Sequence, residues 1–259
     1  MKGLKYILLL AVLFTLGACQ RSQEERNHIL KVYNWADYID EDVLAEFPEW
    51  YKEQTGEDIE VIYQTFDINE IMLTKIERGH EDFDVVCPSE YIIERMMKKD
   101  MLQPINRDFG NTPDYIPNLA PYIQEELNKM SFDERKVTDY AVAYMWGTAG
   151  VLYNKGLVTE EEALTCGSLW DPKFNNKILM KDSYRDCYGL SIIYANTERL
   201  QKGEVTVEQL MNDNSKDAII MAEEYLKMMK PNIAGWEADF GKEMMTKGKA
   251  WLNFTWSGD

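Results

Sequence analysis

Leu30-Lys31-Val32-Tyr33-Asn34-Trp35 decides the fold. Apolar and polar side chains alternate along it, as they do on a strand with one face turned to a core. The stretch from Asp40 to Thr55 reads as a helix stopped at Gly56, with a break expected at Pro48. Ile59 to Thr65 is a second strand, after which Asp67 is expected to cap a helix with Glu70 at the capping-box position and Ile71, Met72 and Ile76 on one face. Phe83 to Cys87 is a third, short strand closed by Pro88-Ser89, and Glu90 to Lys99 is helical. Strand and helix thus alternate three times. That order predicts an α/β fold with a mostly parallel sheet and helices on both of its faces.

Beyond this unit, Asn106 to Pro121 is rich in Pro, Asn and Asp and is expected to be irregular, while Asp139 to Met145 reads as a strand leaving the unit, a hinge candidate. Val151 to Tyr153, Ile178 to Met180 and Trp251 to Trp256 read as further strands, with helices near Cys187 to Ala195, Val207 to Asn212 and Ser215 to Met229. A second α/β unit follows the first. The expected organisation is a first lobe over residues 29–143 and a second over 144–259, preceded by a signal segment, 1–19, and a polar leader, 20–28.

The signal is read from Lys2 and Lys5 before an apolar run from Ile7 to Leu16, too short to remain as a bilayer-spanning helix. The run ends in Leu16-Gly17-Ala18-Cys19, which resembles a bacterial lipobox, so Cys19 is expected to carry lipid and to become the new N-terminus outside the cytoplasm. Three cysteines remain, Cys87, Cys166 and Cys187, with no spacing that suggests a metal site. Free thiols are expected, and a Cys166–Cys187 disulfide is the alternative that an oxidising compartment would allow.

The 259 residues carry 45 acidic against 28 basic side chains, a formal charge of -17. Such a surface repels phosphate backbones, which argues against nucleic acid or an anionic membrane surface as a partner and weakly favours cationic ligands. Only two histidines occur, His28 and His80, so a His-dependent triad or a multi-His metal site is nearly excluded. No nucleotide-binding glycine loop or nucleophile elbow is present, and no cofactor is expected. A carboxylate-pair hydrolase is not excluded by counting.

Open α/β sheets bind ligands beyond the carboxyl ends of their strands. Those ends are alike here. The first strand delivers Trp35, Asp37 and Tyr38; the third, Ser89, Glu90 and Tyr91; the strand at Ile178, Asp182, Ser183 and Asp186; the last, Trp256, Ser257 and Asp259. Carboxylates pair with ammonium groups, and Trp or Tyr faces attract cations and cover methylenes, so the set suits a flexible organic polycation. Tyr144 and Trp146 at the hinge could add to the cage. The bland alternative is that the rings are core packing and the acids helix caps.

Val32-Tyr33-Asn34-Trp35, Thr65-Phe66-Asp67-Ile68-Asn69-Glu70, Asp84-Val85-Val86-Cys87-Pro88-Ser89-Glu90-Tyr91, Tyr144-Met145-Trp146-Gly147-Thr148 and Trp256-Ser257-Gly258-Asp259 occur in that order. Over nearly all of Leu30 to Asp259 the chain resembles the extracytoplasmic spermidine/putrescine-binding proteins of polyamine ABC importers. The resemblance implies a two-lobed periplasmic-binding-protein fold that holds polyamine between its lobes and hands it to a membrane permease. It implies Trp35, Asp37, Tyr38, Ser89 and Tyr91 as first-lobe contacts, with Asp186 and Trp256 from the second lobe. Where the family often offers Asp-Asp-x-Arg-Glu, this chain has Asp182-Ser183-Tyr184-Arg185-Asp186, so Ser183 stands where an acid would pair with an amine. Family members continue past the Trp-Ser-Gly segment, so the fold is expected to be incomplete at its C-terminus. The expected function is that of a lipid-anchored, monomeric polyamine-binding component of an importer, without catalytic activity. The alternatives are an extracytoplasmic carboxylate-pair hydrolase and a binding lipoprotein that has lost its function.

Overall fold

In the computed structural model, residues 26–79, 81–110, 113–238 and 240–258 are described. The chain divides into two compact units, with the division between Tyr144 and Met145. In the first, β1 (Ile29–Trp35) pairs in parallel with β2 (Glu60–Phe66) along its full length, Ile29 opposite Glu60 and Trp35 opposite Phe66. On its other side β1 pairs in parallel with β3 (Val85–Val86), giving the order β2-β1-β3. The helices α1 (Glu41–Thr55), α2 (Asn69–Gly79) and α3 (Glu90–Lys98) follow the three strands in turn. Tyr33, Phe66, Met72, Leu73, Ile92 and Met96 form the core. Burial of side chains this size stabilises by roughly 1.5 to 3 kcal/mol each.

Several details differ from the sequence expectations. The helix α1 runs through Pro48 without a break. Asp40 caps its start by accepting from the Asp42 N–H, and Gly56 closes it at φ 79°, donating to the Lys52 carbonyl. With both ends fixed, the loss of one backbone hydrogen bond at the proline does not end the helix. The helix α2 begins at Asn69 rather than directly after Asp67. The third strand is confined to two residues: just before it the Asp84 carboxylate, not a backbone carbonyl, accepts from the Lys31 N–H at 2.8 Å, and Phe83 stacks on Tyr33 with centroids 4.5 Å apart.

After an irregular stretch, α4 (Pro121–Lys129) precedes a small hairpin of β4 (Ser131–Phe132) and β5 (Arg135–Lys136). Asp133 and Glu134 turn it with positive φ, 46° and 67°, the twist that suits a two-residue hairpin. Asp139 to Met145, expected as a strand, pairs with no strand among the described residues. Its apolar alternation is real, but a ladder needs a partner. Val142, Tyr144 and Met145 stay exposed.

The second unit holds β6 (Ala149–Tyr153), the short helix α5 (Glu160–Ala163), β7 (Ile178–Lys181), α6 (Tyr184–Ala195), α7 (Thr197–Gln201), α8 (Val207–Asn212), α9 (Lys216–Met229), β8 (Ile233–Glu237), α10 (Gly241–Thr246) and β9 (Leu252–Trp256). The sheet order is β6-β9-β7-β8. It is mixed rather than wholly parallel, since β6 runs antiparallel to β9 while β7 is parallel to both β8 and β9. Every residue of β7 is buried. Ile178 and Met180 pack with Cys187, Leu190 and Met229 on one face, while Leu179 packs with Met245 and Ala250 on the other. Helices therefore cover both faces of this sheet. Cys87, Cys166 and Cys187 are free, so the alternative Cys166–Cys187 disulfide does not form. Burial pushes the Cys87 thiol up to about 11 and the Cys187 thiol up to about 12. Among the described residues, no helix is long and apolar enough to cross a membrane.

Candidate functional site

In the first unit the candidate residues stand where β1 and β3 end. Trp35, the last residue of β1, packs against Phe66 with ring centroids 4.6 Å apart. Asp37, exposed on the next loop, lines an open depression of about 430 Å³ together with Ala36, Ile39, Glu41, Leu44, Tyr63 and Thr65. Two carboxylates and a phenol on an open surface can receive a cation without losing its hydration entirely. The Tyr38 carbonyl accepts a hydrogen bond from the Tyr144 hydroxyl.

Behind this loop Asn34, 2% exposed, accepts from the Trp35 N–H through Oδ1 at 2.8 Å, and the Tyr63 hydroxyl donates to the Trp35 carbonyl at 3.4 Å. Burial raises the phenol pKa values of Tyr63 and Tyr144, so the two rings stay neutral donors.

The start of α3 is fixed from α2. Asn69, buried, donates through Nδ2 to Ser89 Oγ at 2.9 Å and to the Tyr91 hydroxyl at 3.1 Å, and its Oδ1 accepts from the Ser89 N–H at 3.1 Å. The Tyr91 hydroxyl in turn donates to Glu70 Oε1 at 3.0 Å. Glu70, expected in a capping box, is thus committed to Tyr91. Glu90 is exposed at the first position of α3.

In the second unit the Trp256 indole N–H, at the end of β9, donates to Asp186 Oδ2 at 3.0 Å. This joins two residues expected separately. Ser183 is the N-cap of α6, its hydroxyl accepting from the Asp186 N–H at 3.3 Å, so it places Asp186 on the first turn. Asp182 is exposed, and the Ser257 hydroxyl accepts from the Thr148 N–H at 3.1 Å. Trp146 is exposed. Cys19, His80 and Asp259 lie outside the described residues.

Sequence reasoning missed four polar residues: Asn34, Asn69, Lys181 and Glu237. Lys181 and Glu237, each 2% exposed, end β7 and β8 opposite one another. A lysine closing the apolar run Ile178-Leu179-Met180 was the available signal, because such a charge is seldom buried without a partner.

The model of the bacterial extracellular solute-binding protein family matches residues 49–259. The chain belongs to that family. The family is one of extracellular solute-binding proteins rather than enzymes, which argues against the carboxylate-pair hydrolase. Among relatives of this solute-binding protein, the spermidine/putrescine-binding periplasmic protein of Salmonella typhimurium is 28% identical over 233 residues, 90% of this chain and 59% of the relative. A solved structure described as a spermidine/putrescine ABC transporter from Listeria monocytogenes is 34% identical with a TM-score of 0.70, covering 89% of this chain and 63% of the other. The spermidine/putrescine ABC transporter substrate-binding protein of Streptococcus pneumoniae is 32% identical, with a TM-score of 0.60 over the same shares. The α/β periplasmic-binding-protein fold is therefore established, and the chain spans about three fifths of the length of these relatives.

Proposed function

We propose that the protein captures an aliphatic polyamine of the spermidine or putrescine kind outside the cytoplasm and delivers it to the permease of an ABC importer. The observation that carries this reading is a repeated pairing of a carboxylate with an aromatic hydrogen-bond donor, Tyr91 with Glu70 in one unit and Trp256 with Asp186 in the other. Each pair fixes an acid beside a ring at the C-terminal end of a sheet. An ammonium group needs the acid, and the methylenes between ammonium groups need the ring. Trp35, Asp37, Tyr38, Ser89, Glu90, Tyr91, Ser183, Asp186 and Trp256 are the proposed contact set. The relatives' names support the same ligand class.

Lipid on Cys19, a cleaved signal before it and a monomeric state belong to the same proposal. Calorimetric titration with putrescine, spermidine, a neutral sugar and a neutral amino acid tests the ligand class. Saturable heat with the two polyamines alone is the expected result. Heat only with an uncharged ligand would overturn it.

A further inference from the structure

At the ends of β7, β8 and β9 the second unit encloses an ammonium group of its own. Lys181 Nζ lies 4.2 Å from the centroid of the Trp256 ring and 3.8 Å from Glu237 Oε1, and it donates to the Ala238 carbonyl. Both charged side chains are about nine-tenths buried or more, at 3% and 1% exposure. Glu237 is held further by the Gly241 N–H at 3.1 Å and by Asn253 Nδ2 at 3.3 Å. The Asn253 Oδ1 atom is the one buried side-chain acceptor without a hydrogen-bond partner among the described residues. An aromatic face, a carboxylate and a backbone carbonyl form a cage for a primary ammonium.

We propose that Lys181 is a specificity-determining residue: it fills in cis an ammonium cage formed by Glu237, Ala238 and Trp256, leaving Asp186 to receive a ligand ammonium in this unit. The proposal rests on the polyamine reading. Its consequence is a preference for a short diamine over a longer triamine, because the position that a further ammonium would take is occupied. The ring of Trp256 is also shared, since a cation already sits on it and the indole N–H is committed to Asp186. Asp182 is exposed and offers only a screened charge.

The test is Lys181→Ala, which empties the cage and leaves its walls, compared with the parent and with Lys181→Ala/Glu237→Gln. Calorimetry with putrescine and spermidine should show the spermidine-to-putrescine affinity ratio raised about tenfold in the single variant and returned toward the parent value in the double variant. In the single variant alone, n-butylamine should raise the melting temperature with the logarithm of its concentration, as a ligand of the folded state does. If Lys181→Ala fails to fold without amine, folding restored by n-butylamine is the supporting outcome. No restoration, or a ratio within twofold of the parent's, overturns the role of Lys181 while leaving polyamine binding intact. A parent that binds neither polyamine overturns the polyamine reading itself, and this proposal with it.

Discussion

Asp186 and Trp256, 70 positions apart, are joined by a single hydrogen bond of 3.0 Å from the indole N–H to Oδ2. The bond orients the acid and the ring together, so neither can be altered without moving the other. Asp186→Asn keeps the size of the side chain and removes its charge. Putrescine and spermidine affinity should fall about tenfold or more, in keeping with a charge-assisted hydrogen bond of roughly 1.5 to 3 kcal/mol. Calorimetry giving affinities within twofold of the parent would reduce the pair to packing.

Asn69 makes three hydrogen bonds to the start of α3, two to Ser89 and one to Tyr91. Asn69→Ala leaves the Ser89 N–H and two hydroxyls to find other partners. A loss of about 1 to 3 kcal/mol is expected in urea unfolding. Asn69→Asp retains an acceptor for the Ser89 N–H and should lose less at neutral pH. Equal stability of all three forms would show that the clamp carries no energy.

Two buried glycines separate rigid from yielding surroundings. A Cβ on Gly241 would lie 2.3 Å from Asn253 Nδ2 and 2.6 Å from Glu237 Cδ, inside the buried polar network. A Cβ on Gly189 would meet the end of the Met211 side chain, at 2.4 Å from its sulfur. Methionine turns aside at little cost, whereas the hydrogen-bonded acid and amide do not. Gly241→Ala should therefore destabilise by about 1 to 3 kcal/mol and by more than Gly189→Ala, as read by chemical denaturation. The reverse order would contradict the rigidity of the network.

Lys31 and Arg26 both bond the Asp82 carboxylate at the N-terminal end of β1, Arg26 Nε at 2.8 Å, and together they hold the Asp82 carboxyl well below its usual 3.8. A depressed folded-state pKa gives stability that is present above the unfolded value and is lost as pH falls below it. Melting temperature should thus show no Asp82-dependent change from about pH 7 to about pH 5 and drop from there toward about pH 2, by less in Asp82→Asn than in the parent. Parallel pH profiles for the two would remove Asp82 from the acid response.

The opening β1-α1-β2-α2 order was legible because alternation, caps and the glycine stop at Gly56 all act within a few residues. Several later features were not. Asp139 to Met145 has a strand's alternation, but pairing depends on a neighbour that local pattern does not contain. The strand β8 was hidden by Gly235 and by the register shift opposite Ile178 and Leu179. The helix α4 begins at Pro121, which reads equally well as loop. At the site, the strand-end argument found the rings and exposed acids. It passed over Asn34, and over Asn69, Lys181 and Glu237 because what those three do depends on partners 16 or more positions away for most of their contacts.

Tyr144 is the last residue of the first unit, and its hydroxyl holds the carbonyl of Tyr38 across 106 positions of sequence. The loop that carries Asp37 and Tyr38 is therefore tied to the segment by which the chain departs. Cutting the protein into autonomous pieces has to respect that tie: a fragment stopping short of Tyr144 would keep every strand of the first sheet yet lose the fastening of the loop after β1. The useful boundary for excision, fusion or circular permutation lies after this tyrosine.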